Sequence, residues 1–192
     1  MTERGNRVYL RSVTPDDRSE FLSLMIASRK LHEPWISPPL TPDVFDFYLE
    51  RCARDDHEGW LVCSCRDDAI TGVININNIV RGSFLSASLG YYVGLPYSGN
   101  GYMKEGLTLL VRKCFEQAGL HRLEANIQPS NFPSIALVKH CGFVSEGLAE
   151  KFLFIDGQWR DHERWVKIHD RATLHHTRQA EENHSEAENY SG

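Results

Sequence analysis

The chain has 192 residues, 41% of them hydrophobic and 24% charged, an ordinary balance for one folded domain with a buried core. Its formal net charge is −5 and no segment carries a basic stripe, which argues against a dedicated nucleic-acid binder. No apolar run approaches the roughly 20 residues of a membrane helix.

Met1 to Arg7 carries no apolar signal-peptide core, so the expected location is the cytoplasm, with no membrane partner. The five cysteines, Cys52, Cys63, Cys65, Cys114 and Cys141, fall at irregular spacings without a Cys-x-x-Cys pair or a histidine at ligand distance. Buried free thiols and no metal are the expectation.

Val8 to Val13 alternates and reads as a first strand. Thr14-Pro15-Asp16-Asp17 then reads as a helix start, with a Thr cap, Pro in the first turn and acids at the positive end. Phe21, Leu22, Leu24 and Met25 carry this helix to about Arg29. The Pro-rich run Glu33 to Pro39 must be a loop. A second helix is expected from Pro42 to Arg54, with Val44, Phe45, Tyr48 and Leu49 on one side. Three strands follow, at Trp60–Arg66, Ile70–Val80 and Leu85–Val93, joined by short Asp-, Gly- and Ser-bearing gaps.

The strongest helix spans Gly101 to Ala118. Leu107, Leu110, Val111, Cys114, Phe115 and Ala118 form one stripe, and Gly119 follows as a C-cap. Arg122–Gln128 alternates as a strand, with Leu123, Ala125 and Ile127 on one face and Glu124, Asn126 and Gln128 on the other. A short helix from Phe132 to His140 stops at Gly142. Two closing strands flank Asp156-Gly157, a hairpin-turn signal. From His169 the chain is polar, and residues 169–192 are expected to be a disordered tail after a single domain at 1–168. The order β, α, α, three β, α, β, α, two β predicts a mixed α/β domain.

Val93-Gly94-Leu95-Pro96-Tyr97-Ser98-Gly99-Asn100-Gly101-Tyr102-Met103-Lys104 is a strand end, a Gly-rich turn and a helix start. The first amides of a helix lack internal partners and, with the helix dipole, form an anion site that glycines let a phosphate approach. A dinucleotide-binding turn needs a third glycine where Lys104 stands, and no P-loop Gly-Lys-Ser/Thr ending occurs.

This turn resembles motif A of the GNAT N-acetyltransferase superfamily, Arg/Gln-x-x-Gly-x-Gly/Ala. Ser98 stands at its first position, Gly101 at the central glycine and Met103 at the last, so two of the three signature positions depart. Downstream, His121-Arg122-Leu123-Glu124-Ala125-Asn126, Asn131-Phe132-Pro133-Ser134, Cys141-Gly142-Phe143 and Glu146-Gly147 resemble the RimJ/RimL branch, which acetylates N-termini of ribosomal proteins. Asp156-Gly157-Gln158-Trp159-Arg160-Asp161-His162 is similar to the RimJ type, and Arg7-Val8-Tyr9-Leu10-Arg11 and Pro34-Trp35-Ile36 also fit. The likeness spans about residues 4–168.

The resemblance implies a GNAT fold, a mostly antiparallel sheet of about seven strands with about four helices, and acetyl-CoA as co-substrate. It implies that the strand around Tyr91–Val93 splays from its neighbour and receives the pantetheine arm. The implied cofactor-binding residues are Tyr92, Val93, Ser98, Gly99, Asn100, Gly101, Tyr102, Met103, Asn131 and Ser134, with a backbone N–H near Val93 polarising the thioester carbonyl. By the same resemblance Asn131 bonds the cofactor and Ser134 protonates or steadies the leaving thiolate; Asn131 also suits a helix cap.

Many relatives carry a Glu as base where this chain has Ser88, which leaves Glu124 as the best available carboxylate or as a structural ion-pair member. Trp35 either walls the acceptor pocket or packs under its own prolines. His121, His140 and His162 read as surface or structural residues. The expected acceptor is a protein N-terminus, a ribosomal protein's among them, or alternatively a small amine; a non-catalytic acyl-CoA sensor is a further class, and a homodimer stays open.

Overall fold

The computed structural model describes residues 3–169. The tail expected at 169–192 therefore lies outside the described residues except for His169, which stacks on Phe115 at 4.9 Å and donates its N–H to the His121 carbonyl.

In chain order the elements are β1 (Glu3–Arg4), β2 (Val8–Ser12), a 3-10 turn at Pro15–Asp17, α1 (Arg18–Ala27), α2 (Arg29–His32), α3 (Pro42–Cys52), β3 (His57–Ser64), β4 (Ile70–Val80), β5 (Ser86–Val93), a 3-10 turn at Leu95–Tyr97, α4 (Tyr102–Glu116), β6 (Arg122–Ile127), α5 (Phe132–His140), β7 (Val144–Ile155) and β8 (Gln158–Ile168). The strands form one sheet in the order β1-β2-β3-β4-β5-β6-β8-β7, and only β5 and β6 pair in parallel. The count is eight strands and five α-helices against about seven and four expected. The extra strand is the two-residue β1. The extra helix arises because the first one breaks at Ser28, whose hydroxyl donates to the Leu24 carbonyl and accepts the Leu95 N–H at 2.8 Å.

Each face of the sheet has its own core. On one face α4 and α5 bury Leu107, Leu110, Ile135 and Val138 against Val8, Val62, Ile74 and the Leu123-Ala125-Ile127 row of β6. On the other, α1 and α3 bury Phe21, Met25, Phe45 and Tyr48 against Leu61, Val73 and Tyr92. Val44, expected on the buried side of α3, is 48% exposed, because α3 presents Phe45 and Tyr48 to the sheet instead. Leu110 is fully buried, so Leu110→Ala should lower the unfolding free energy by about 2–5 kcal/mol, read from urea denaturation.

The helices α1 and α3 cover their face only over the β2–β4 side. Beyond, over β5, β6 and β8, that face forms an open groove. The β7–β8 hairpin turns at Asp156 (φ +50) and Gly157 (φ +74), the two left-handed residues of its tight turn.

Candidate active site

The parallel pairing of β5 with β6 ends at Leu89↔Ala125, whereas the pairing of β5 with β4 continues to Val93. The sheet therefore splits beyond Leu89. Gly94 donates to the Thr71 carbonyl, so by antiparallel alternation Tyr92 and Gly90 exchange bonds with β4. The backbone groups of Tyr91 and Val93 consequently face the gap. The Val93 carbonyl accepts a hydrogen bond from His32 Nε2 at 2.9 Å, leaving the Val93 N–H directed into the opening.

A cavity of about 400 Å³ runs from this gap to the start of α4. The turn there depends on Gly99 (φ +75) and Gly101 (φ +80), both in the left-handed region that side chains disfavour. Gly101 is the α4 N-cap and no side chain caps it; the first bond back to it is from the Glu105 N–H to its carbonyl, at 3.2 Å. The amides of Tyr102, Met103 and Lys104 are thus the free donors of the helix mouth. With the dipole, and with Lys104 also bordering the cavity, this end is built for an anion.

Arg7 holds the turn from beneath. Its backbone N–H and Nε bond the Glu105 carboxylate at 2.8 and 3.1 Å, and its Nη1 donates to the Asn100 carbonyl at 3.0 Å. Its guanidinium also lies over the Tyr102 ring, 5.4 Å from the centroid. Those bonds hold Glu105 ionised, its carboxyl below the usual range despite partial burial.

At the other end of the cavity Asn131 caps α5, its Oδ1 accepting the Ser134 N–H at 3.3 Å. Ser134 Oγ lies 2.6 Å from the Tyr91 hydroxyl. Burial pushes the Tyr91 phenol upward, so it stays protonated and can donate to Ser134. The serine then keeps its own proton for another acceptor.

Of the expected residues, Tyr92, Val93, Ser98, Gly99, Gly101, Met103, Asn131, Ser134 and Trp35 border this one cavity. Asn100 and Tyr102 do not border it: the Asn100 carbonyl is taken by Arg7, and the Tyr102 ring packs edge-on to Tyr97 at 5.6 Å. They can serve a ligand through backbone amides. Glu124 is not brought to Ser134. It faces the open groove in an ion pair with Arg122 Nε at 2.7 Å, with Arg164 Nε 3.8 Å away, which ties up the carboxylate expected as base. Trp35 is half-buried and borders both this cavity and the groove.

Residues 7–144 match the family described as acetyltransferase (GNAT) domain. The chain belongs to the GNAT acetyltransferase family. It is 30% identical over 169 residues to the "Probable N-acetyltransferase YjcK" of Bacillus subtilis (strain 168), covering 83% of this chain and 93% of that protein. Over 93 residues, 48% of each chain, it is 46% identical to the ribosomal protein uS5-alanine N-acetyltransferase of Escherichia coli (strain K12). Among solved structures it superposes on the ribosomal-protein-S5-alanine acetyltransferase of Vibrio fischeri with a TM-score of 0.80 at 25% identity, over 91% of this chain and 100% of that one. It also matches Mycobacterium smegmatis RimJ, solved in complex with CoA-disulfide, with a TM-score of 0.77 at 27% identity, over 87% and 84%.

Three residues of this GNAT site were not picked out from the sequence. Tyr91 could have been, since it lies two residues before Val93 and shares its side of β5. His32 comes from the short helix behind the Pro-rich loop, with no local signal. His162, expected at the surface or in a structural role, is 2% exposed and borders both the strand gap and the groove. Among the described residues no group of three or more His, Cys, Asp or Glu could hold a metal. No described helix is long and apolar enough to cross a membrane.

Proposed function

We propose that this acetyltransferase takes acetyl from acetyl-CoA and passes it directly, in a ternary complex, to the N-terminal α-amine of a protein, a ribosomal protein being the favoured class. The observation that carries this reading is the continuity of one cavity from the free amides of α4, through the β5–β6 split, to Ser134. The diphosphate would sit on the amides of Tyr102–Lys104 and the pantetheine along Tyr91–Val93 as an added strand. The Val93 N–H would then face the thioester carbonyl and stabilise the oxyanion as the amine attacks. Ser134, supported by Tyr91, would protonate the departing thiolate.

Groove and energetics both favour an α-amine. The groove, about 980 Å³, is far larger than one amine needs, and its lining mixes amide, hydroxyl, aromatic and aliphatic side chains. Its carboxylates, Glu124 and Asp156, are matched by Arg51 and Arg122, so it lacks the acidic excess that would hold a polyamine. An α-amine with pKa near 7.7–8.0 loses its proton at pH 7.5 for about half a kcal/mol, whereas a lysine amine near 10.4 requires roughly 4 kcal/mol.

Incubation with acetyl-CoA, thiol-release detection and peptides starting Ala, Ser or Thr tests this. The peptides should react at least tenfold faster than their Nα-blocked, lysine-bearing counterparts and than spermidine. Equal rates would remove the α-amine assignment, and no thiol release with any amine would remove the transferase mechanism.

A further inference from the structure

The strand split holds a second, smaller chamber of about 90 Å³, between the thioester end of the cavity and the acceptor groove. It shares Tyr91 and Ser134 with the larger cavity and Gly90, Asn126 and His162 with the groove, and Gln128 lines it as well. Two of its polar atoms, Asn126 Oδ1 and Gln128 Nε2, are buried without a hydrogen-bond partner among the described residues. Buried polar atoms are ordinarily paired, and a polar space of this size accommodates a few waters or an amino group.

Among the described residues bordering this chamber, His162 is the one nitrogen base. Its Nδ1 lies 2.9 Å from the Arg160 carbonyl, which can only accept, so the ring proton sits on Nδ1. Nε2 is therefore the lone-pair nitrogen. Burial lowers the pKa of the ring, which favours the neutral form with its lone pair free.

We propose that His162 is the proton acceptor for the incoming amine, directly or through a water held by Asn126 and Gln128, in place of the carboxylate this chain lacks at Ser88. The assignment rests on the acetyl-transfer reading above. The ammonium gives one proton to His162 Nε2, and the neutral nitrogen attacks the thioester carbon. As the C–N bond forms and the C–S bond breaks, the second nitrogen proton replaces the one that Ser134 gives to the thiolate. The imidazolium then releases its proton to solvent through the groove. The charged groups around the ring are Asp161 beside it, Arg160, Glu163 and Arg164 on β8, Glu124 and Arg122 on β6 and Lys151 on β7.

His162→Asn keeps a donor for the Arg160 carbonyl and deletes the base. With an Ala-initiated peptide it should turn over about 100-fold more slowly at pH 6.5–7, with unchanged acetyl-CoA affinity, and the deficit should shrink as pH passes the amine pKa near 8. Gln128→Leu, which replaces an unpaired buried amide and so should fold at least as well, should cut turnover about tenfold with the same affinity. Wild-type turnover and pH profile in a folded His162→Asn protein, or in Gln128→Leu should His162→Asn not fold, overturn the assignment and leave the acetyltransferase reading intact. A wild-type protein that binds acetyl-CoA but transfers to no amine overturns both.

Discussion

Gly101→Pro should weaken acetyl-CoA binding by about 100-fold, some 2.7 kcal/mol, in a calorimetric titration. The native φ at this position is +80, and proline fixes φ near −65° and has no N–H, so the turn cannot keep its path. The amides of Tyr102, Met103 and Lys104 lose their common aim because Gly101 sets the direction in which α4 starts. A Cβ here would also press on the Arg7 guanidinium at 3.0 Å. Gly99→Ala is the matched control. It too sits at positive φ, but its Cβ would meet nothing within 4 Å, so it should lose only the roughly 1 kcal/mol of a left-handed alanine. If Gly101→Pro bound acetyl-CoA as tightly as the wild type, the diphosphate would have to lie elsewhere.

Ser134→Ala should lower turnover about 100-fold and leave acetyl-CoA affinity within a few-fold, because the hydroxyl acts on the thiolate, which exists only late in the reaction. Tyr91→Phe removes the phenol 2.6 Å from that hydroxyl and should act in the same direction by about tenfold. Since the two hydroxyls form one chain, the double variant should be little slower than Ser134→Ala alone. Strict additivity in steady-state kinetics would mean that the two act independently. The helix should survive Ser134→Ala, because the Asn131 cap accepts the backbone N–H of residue 134 and not its side chain.

Features set by local chemistry were legible in the sequence. The α4 stripe, the alternation of Arg122–Ile127 (one residue short of the expected Gln128, which is buried), the Asn131 cap and the Asp156-Gly157 turn each depend on residues a few positions apart, and all four are present. The glycines of the turn before α4 were legible for the same reason, since positive φ leaves few other choices. The proton chemistry was not. Glu124 read as the best carboxylate, and its close partner Arg122 stands only two residues away; the second cation, Arg164, arrives only when β8 pairs with β6. His162 enters the strand gap through that same pairing, and the acceptor of His32 is the Val93 carbonyl, 61 residues away. Long-range register decides which polar side chains face a cleft, and no window along the chain contains it.

Arg7 spans 98 positions of sequence to clasp Glu105 and the carbonyl of Asn100. The loop that would meet the cofactor is thus fixed by the turn between β1 and β2, at one border of the sheet, before any ligand arrives. The entropy lost in ordering that loop is absorbed when the domain folds, so association itself need not supply it. A change at Arg7, remote from every reacting atom, should therefore register as a slower, weaker capture of coenzyme rather than as altered chemistry.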